Sequence, residues 1–515
     1  MNDTDRDESK PLQFLLVGLV CVGVALRWID LDLRGLWWDE LYSVVSASTS
    51  ATLDELWANW LADDSHPPGM LPFLWVWFQV FPATEFWARV PSALAGSAML
   101  IYAAWGTRAV LSLTGRSLLT ALLACSYMPV YYAQEARPYA IVMLCSLVLS
   151  VQAWRLMQTK GDPQSWVSVV VISVLAAYAH YFGLFLAATW FVVLFVHRIQ
   201  HGWIDDARRM GFALMGFAVA YLPGLLAFIH LIETGNGAWQ KRMEAGDFLN
   251  KAFEGYFFND IKSSAILLAG LAVIALFGRW QWKPGPTRNF GPLVVVLGLA
   301  TAITALANTQ TPVLHVRYFL VFLPPLFLLI AAAISAALNT APSAIHVLCV
   351  ALAASGLGVW HADYQDYKKQ GWREATTWVQ TQRKRSDAIA VLGPDGSQNA
   401  GQLLAADRVD DMFWLRNHSY FQYYFDRSTT SGEPPQLQRL PNRKPNSAQL
   451  KNVIQAPKKR LILLAGHHLR LNKKLKRYLS KRYSKFQVKK FKSTRVYVFA
   501  EPIKRRAASQ PPVGP

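Results

Sequence analysis

The chain has 515 residues, 53% of them apolar, with 20 Trp, 19 Tyr and 27 Phe and a formal net charge of +19. The apolar residues come in long unbroken runs rather than amphipathic patterns, which excludes an ordinary soluble protein. The charge is uneven: residues 361–515 hold 31 Lys and Arg against 11 Asp and Glu, a net of +20, and residues 1–360 net to −1. The boundary near residue 361 is therefore a change of solvent as well as of composition.

The N-terminus, MNDTDRDESK, is polar and mixed in charge. It does not resemble the start of a signal peptide, so the first apolar run is expected to stay as an anchor. Long apolar runs mark spanning helices, because the bilayer core cannot satisfy an open backbone. Spans are predicted at 11–28, 86–107, 117–134, 138–157, 166–180, 183–197, 210–231, 263–279, 290–309, 317–338 and 342–360, eleven in all. Four loops are basic: Arg108 to Arg116, Arg155 to Lys160, Arg198 to Arg209 and Arg279 to Arg288. With a cytoplasmic N-terminus, all four fall on the cytoplasmic side. The outer face then carries 29–85, 232–262, the turns near Glu135, His180 and Thr311, and all of 361–515.

Within the acidic first external loop, 29–85, the run LPFLWVWFQVFP (71–82) is too short to span and predicts an interfacial or re-entrant helix. Beyond 361, strand-like pieces at 387–393, 460–466 and 486–500 alternate with helix-like pieces around 399–406, 418–427 and 468–482. That pattern predicts a small soluble α/β domain. No Gly-rich nucleotide fingerprint opens its helices. The predicted fold class is thus a polytopic α-helical membrane protein of eleven transmembrane helices, domain 1–360, followed by a basic extracytoplasmic α/β domain, 361–515. Cys21, Cys125, Cys145 and Cys349 all lie in predicted spans and give neither a metal pattern nor a disulfide framework.

Candidate site residues sit at the outer ends of the spans. In RGLWWDELYS (34–43), Trp37 and Trp38 suit an interface, and Asp39 and Glu40 follow them. Aromatic neighbours partly desolvate such acids and strengthen them as bases. In SHPPGMLPF (65–73), Pro67 and Pro68 stiffen a helix entry and His66 is a candidate anion donor. Arg89 falls one turn inside the second span, where an ionisable group is costly unless paired or facing a cavity. YYAQEARPYA (131–140) brings Glu135 and Arg137 to a tight turn, AHYFGLF (179–185) brings His180 and Tyr181 to another, and HVRYFLVFLPP (315–325) puts Arg317 at a span end. Each has a bland alternative: a solvated acid pair, a Glu–Arg ion pair, a structural histidine, a snorkelling arginine. Their joint placement is more informative. Arg and His together suit a phosphate at headgroup depth, and a nearby carboxylate suits general-base activation of a hydroxyl.

In this order WWDELYS, SHPPG, RVPSALAG, YYAQEARPYA, AHYFGLF, RYFLVFLPP and YQDYKKQGWREATTWV (364–379) resemble bacterial C-type (GT-C) glycosyltransferases of the protein O-mannosyltransferase and lipid A aminoarabinose-transferase kind. The resemblance covers about residues 1–380. It implies transfer of a sugar from a polyprenyl-phosphate donor to an acceptor glycan, lipid or protein, in one inverting displacement at the outer face of the cytoplasmic membrane. By that analogy Asp39 is the general base and Glu40 its neighbour in the motif. His66, Arg89, Glu135, Arg137, His180, Tyr181 and Arg317 are then the candidate donor-phosphate and substrate-binding residues. Gly69 departs from the pattern, since some relatives carry Lys close after the HPP segment. Glu135 or Arg137 stands where some relatives have Asp. No organic cofactor and no metal ligand set is implied, and a divalent ion is left open.

Residues 458–505 are dense in Lys and Arg with interleaved aromatics. In a cytosolic protein this would suggest RNA. At an outer membrane face it suggests anionic membrane lipid headgroups or an acidic glycan acceptor, and no nucleic acid, with a solvated basic face that has no specific ligand as the equal alternative. Two other functions compete with the enzyme. A lipid-linked-sugar transporter or flippase should show repeated halves and ionisable groups at the bilayer midplane, and neither pattern is evident. A non-catalytic scaffold of an envelope polysaccharide complex would tolerate loss of Asp39.

Overall fold

A computed structural model describes residues 3–62, 64–159, 161–234, 244, 246–248, 250–251, 291–310, 315–337, 342–366, 371–384, 387–392, 419–427, 435, 437–440, 460–466 and 470–502. The chain divides into two compact units: Met1–Asp32 with Ser46–Tyr367, and Leu33–Val45 with Lys368–Pro515.

The first unit is helical. Its elements are α1 (Asp3–Trp28), the end of α2 (Trp38–Thr49), α3 (Leu53–Leu56) running into a π-turn, α4 (Met70–Val80), α5 (Glu85–Ile101), α6 (Leu113–Cys125), α7 (Tyr127–Ala133), α8 (Tyr139–Gln158), α9 (Pro163–Ala179), α10 (Tyr181–Gln200) and α11 (Ile204–Thr234). Helices Gly291–Gln310, Leu323–Ala337 and Pro342–Asp366 follow. Among the described residues, five helices are long and apolar enough to cross a membrane: Lys10–Trp28, Tyr139–Gln158, Tyr181–Gln200, Asp205–Glu233 and Val316–Ala336. The predicted span 263–279 lies outside the described residues. The core of this unit contains Leu122, Met143, Leu147, Trp190, Leu320 and Phe327, all buried.

Prolines decide where the predicted spans break. The run predicted as one span at 117–134 is two helices, with Ser126 extended between them (ψ 141°). Pro129 has no N–H for the Cys125 carbonyl, and its ring crowds that group, so α6 stops there. The span predicted from 317 opens as a 3-10 helix, Val316–Phe322. Pro324 and Pro325 cannot donate to Leu320 and Val321, and the Ser146 hydroxyl donates instead to the Val321 carbonyl. Pro91 in α5 likewise vacates the Trp87 carbonyl, which accepts from the Trp77 indole N–H at 2.9 Å. That bond ties α4, the predicted interfacial helix, to α5.

Two basic loops meet at one end of the unit. The Asp206 carboxylate pairs with Arg198 at 2.8 Å and accepts from the Trp166 indole and the Gly161 amide at 3.1 and 3.2 Å. Arg209 donates to the Gly161 carbonyl at 2.8 Å. A buried charge needs such pairing to offset its lost hydration.

The second unit holds a mixed five-stranded sheet in the order β2-β1-β3-β5-β4, made of β1 (Ala388–Leu392), β2 (Gln438–Leu440), β3 (Leu461–Ala465), β4 (Tyr483–Phe491) and β5 (Thr494–Pro502). β1 runs parallel to β2 and β3, with Ile389 opposite Ile462. β3–β5 and β5–β4 are antiparallel, with Leu463 opposite Tyr497 and Phe486 opposite Phe499. Leu475 and Leu479 of helix Lys473–Ser480 join Leu461, Leu463 and Phe499 in its core. Three of the predicted strands are present, the third as the two strands β4 and β5, and β2 was not anticipated. The stretch 399–406 lies outside the described residues. Most of β4 is exposed. Lys476 lies over the Phe486 ring at 4.7 Å and Arg482 over the Tyr478 ring at 3.6 Å, so part of the basic segment covers its own aromatics.

Candidate functional site

The site in the first unit is built by short turns at the end opposite the Arg198–Asp206 pair. The turn 64–69 begins with Asp64, whose carboxylate accepts from the His66 backbone N–H at 3.1 Å, an Asx-type turn. Pro67 and Pro68 then deliver the chain to α4. Gly69 is required by close approach: a Cβ there would lie 2.2 Å from the Tyr178 carbonyl oxygen near the end of α9. The position where some relatives carry Lys therefore has no room for any side chain. This contact seats His66 beside the α9–α10 turn, with the His66 and His180 rings 6.2 Å apart and edge-on.

The turn 134–138 is held from two sides. The Gln134 side-chain amide donates to the Leu26 carbonyl at 2.7 Å, at the end of α1. The Ser92 hydroxyl of α5 donates to the Arg137 carbonyl at 3.0 Å. Arg89, one turn earlier on α5, is buried and donates to the Leu31 carbonyl at 2.5 Å. Glu135 is fully buried.

These turns assemble a relay. Arg137 Nη2 and His66 Nε2 are 2.8 Å apart, and His66 Nδ1 is 2.9 Å from Asp64 Oδ1. A guanidinium can only donate, so Nε2 accepts, the ring proton sits on Nδ1, and it points at the Asp64 carboxylate. Both ring nitrogens are thereby engaged, one by Arg137 and one by Asp64. Burial lowers the His66 pKa from its ordinary value, the positive charge of Arg137 adds to this, and Asp64 opposes it. The Arg317 charge acts on the same ring in the same direction as Arg137.

His180 and His315 are helix caps. His180 Nδ1 accepts from the Phe182 N–H at 3.2 Å, and His315 Nδ1 accepts from the Arg317 N–H at 3.3 Å. His180 therefore carries its proton on Nε2. Its ring stands 5.2 Å from Tyr318 and 5.7 Å from Tyr139. Arg317 is buried with its guanidinium 5.5 Å from the Tyr318 ring. Tyr181 packs on Phe228 at 4.8 Å. Of the predicted residues, His66, Arg137 and His180 come together, with Arg317 close enough to act on both histidines. Asp64, Tyr139 and Tyr318 stand beside them and were not among the predicted residues. Only Asp64 had a local signal, the D-x-H spacing of an Asx turn.

Asp39 and Glu40 belong to the second unit. They occupy the first turn of α2, where the helix dipole favours carboxylates. Glu40 is fully buried and its Oε2 accepts from the Trp37 N–H at 3.3 Å, the reach-back half of a capping box. Asp39 is only half-buried. Glu40 is thus the more buried of the two acids. Among the described residues, no three His, Cys, Asp or Glu side chains gather as a metal ligand set.

No family model and no curated protein sequence matches the chain. Among solved structures it is similar to ArnT from Cupriavidus metallidurans in the apo state, with a TM-score of 0.57 at 13% identity over 94% of this chain and 97% of that one. The chain has the ArnT fold. The same ArnT bound to undecaprenyl phosphate aligns with a TM-score of 0.55, 13% identity and the same coverage. An Archaeoglobus fulgidus oligosaccharyltransferase aligns at 0.43 and 11% identity over 88% of this chain and 67% of that one.

Proposed function

We propose that this chain is a multi-pass membrane glycosyltransferase that moves a sugar from a polyprenyl-phosphate carrier to an acceptor hydroxyl at the outer face of the cytoplasmic membrane. The observation that carries the reading is the buried arginine-histidine cluster at one end of the helical unit, with Arg137 held by a neutral His66. Cations fixed in a low-dielectric setting stabilise charge that develops on a leaving phosphate more strongly than solvated ones do. Arg137 and Arg317 hold that phosphate. An ArnT that has been solved with undecaprenyl phosphate shares the fold, which supports a lipid phosphate as the anion.

In the proposed reaction the acceptor oxygen attacks the anomeric carbon from the face opposite the phosphate. The new C–O bond forms as the bond to the phosphate oxygen breaks, the configuration inverts, and polyprenyl phosphate leaves with the bonding pair. The acceptor proton passes to the Asp39 carboxylate. Glu40, already engaged with the Trp37 amide, keeps the first turn of α2 in shape.

The test is turnover by purified protein in lipid nanodiscs supplied with lipid-linked sugars extracted from native membranes. Asp39→Asn should remove turnover by a factor of about 10²–10⁴ while donor binding persists. Arg137→Ala should weaken binding of undecaprenyl phosphate itself. Full activity in Asp39→Asn would count decisively against the assignment.

A further inference from the structure

Residues 33–45 stand far in sequence from residue 368 onward, yet both build one compact unit. The Leu36 N–H donates to the Tyr424 hydroxyl at 2.7 Å across 388 positions. The Arg373 guanidinium donates to the Leu33 carbonyl. The Trp38 ring stands edge-on to Tyr420 at 4.9 Å and lies 6.0 Å from Trp372. Trp372 in turn meets Tyr420 at 5.6 Å and Phe421 at 4.8 Å. Leu36, Trp372, Tyr420 and Phe421 are all fully buried. There is no slack at Gly35, where a Cβ would lie 3.2 Å from the Arg373 Cβ.

These contacts fall on the backbone and rings of 33–38, immediately before Asp39. They come from helix Trp372–Gln382 and the helical stretch 419–426, not from the sheet. We propose that these two helical pieces are a clamp that sets the position of the first turn of α2, with Trp372, Arg373, Tyr420 and Tyr424 as positioning residues for Asp39. The clamp rests on the glycosyltransferase reading only for what Asp39 does. It assigns the C-terminal unit a task apart from its basic surface. A reacting group displaced by about 1 Å loses about 10²-fold in rate, so a remote hydroxyl such as that of Tyr424 can govern turnover without touching substrate.

The experiment uses the full-length protein in nanodiscs and reads two quantities. The first is hydrogen–deuterium exchange of the peptide 33–45 in wild type, Tyr424→Phe and Trp372→Leu. Exchange there should quicken at least about tenfold in both variants while α8 keeps its protection. The second is steady-state transfer, in which kcat should fall by about 10- to 100-fold with donor KM unchanged. Trp372→Phe supplies the rescue: it keeps an aromatic ring against Tyr420 and Phe421, so exchange and kcat should both lie much closer to wild type than in Trp372→Leu. Unchanged exchange of 33–45 in both single variants overturns the clamp. Fast exchange with wild-type kcat overturns the positioning role. Should wild type transfer no sugar while exchange responds as described, the clamp stands and the assigned reaction alone falls.

Discussion

At the scale of single residues, Asp64, His66 and Arg137 fix one another's protonation. The groups that face His66 are Asp64, Arg137, Arg317 and His180, from four separate turns. Burial first and then Arg137 make this ring harder to protonate in the folded protein than in the unfolded chain. The native state then binds fewer protons, so the stabilisation is complete above the ordinary histidine value of 6.5 and is lost as pH falls below it. Thermal unfolding from pH 8 to 5 should show that loss, and His66→Asn should flatten it. Asp64→Ala frees the His66 tautomer and exposes Arg137 to a ring N–H, so donor KM should rise. The loss of a charge-assisted hydrogen bond corresponds to about 1.5–3 kcal/mol. Asp64→Asn keeps an acceptor oxygen and should suffer less. An unchanged KM in the alanine variant would show that Arg137 needs no holder. The S-H-P-P-G string drew attention to His66 in the sequence, but its partner could not be read there. Seventy-one positions separate His66 from Arg137, and only the packing of two turns makes them neighbours.

At the scale of elements, hydropathy located helices because the bilayer imposes one requirement on all of them. It missed their interruptions because a run such as SYMPVYY is as apolar as a continuous span. The break follows instead from one missing N–H at Pro129. The same physics hides the repairs, since nothing in Trp77 or Ser146 announces that each fills a carbonyl vacated by a proline. Gly69 is the element-scale position most open to test. Adding a methyl group there forces the turn 64–69 away from α9, because the obstructing atom is backbone. Gly69→Ala should cost about 1–3 kcal/mol of stability, as overpacking does, and should lower transfer through displaced His66. Wild-type activity with an unshifted melting curve would mean that the turn tolerates a wider gap. The α2 helix carries the complementary lesson. Its WWDE motif was legible, yet the difference in burial between Glu40 and Asp39 is something that spacing does not encode.

At the scale of the whole molecule, the sequence separated a neutral helical part from a basic part, and two of its four basic loops do meet at one end of the helical unit. The Arg198–Asp206 pair that joins them lies a full helix length from the His66 cluster, about 30 Å along α8 or α10. Asp206→Ala leaves Arg198 buried without its countercharge and should cost about 3–5 kcal/mol. Donor KM should stay at the wild-type value, as melting and kinetics measured on one preparation would show. What the sequence could not reveal was that thirteen residues near the N-terminus belong to the C-terminal unit, because contacts over hundreds of positions leave no periodic trace. The Leu36–Tyr424 bond has a consequence for biosynthesis. A ribosome must make residue 424 before the Leu36 amide can find its hydroxyl, so in a nascent or prematurely released chain, however many helices it already has, the segment leading into α2 has lost the partner that seats it.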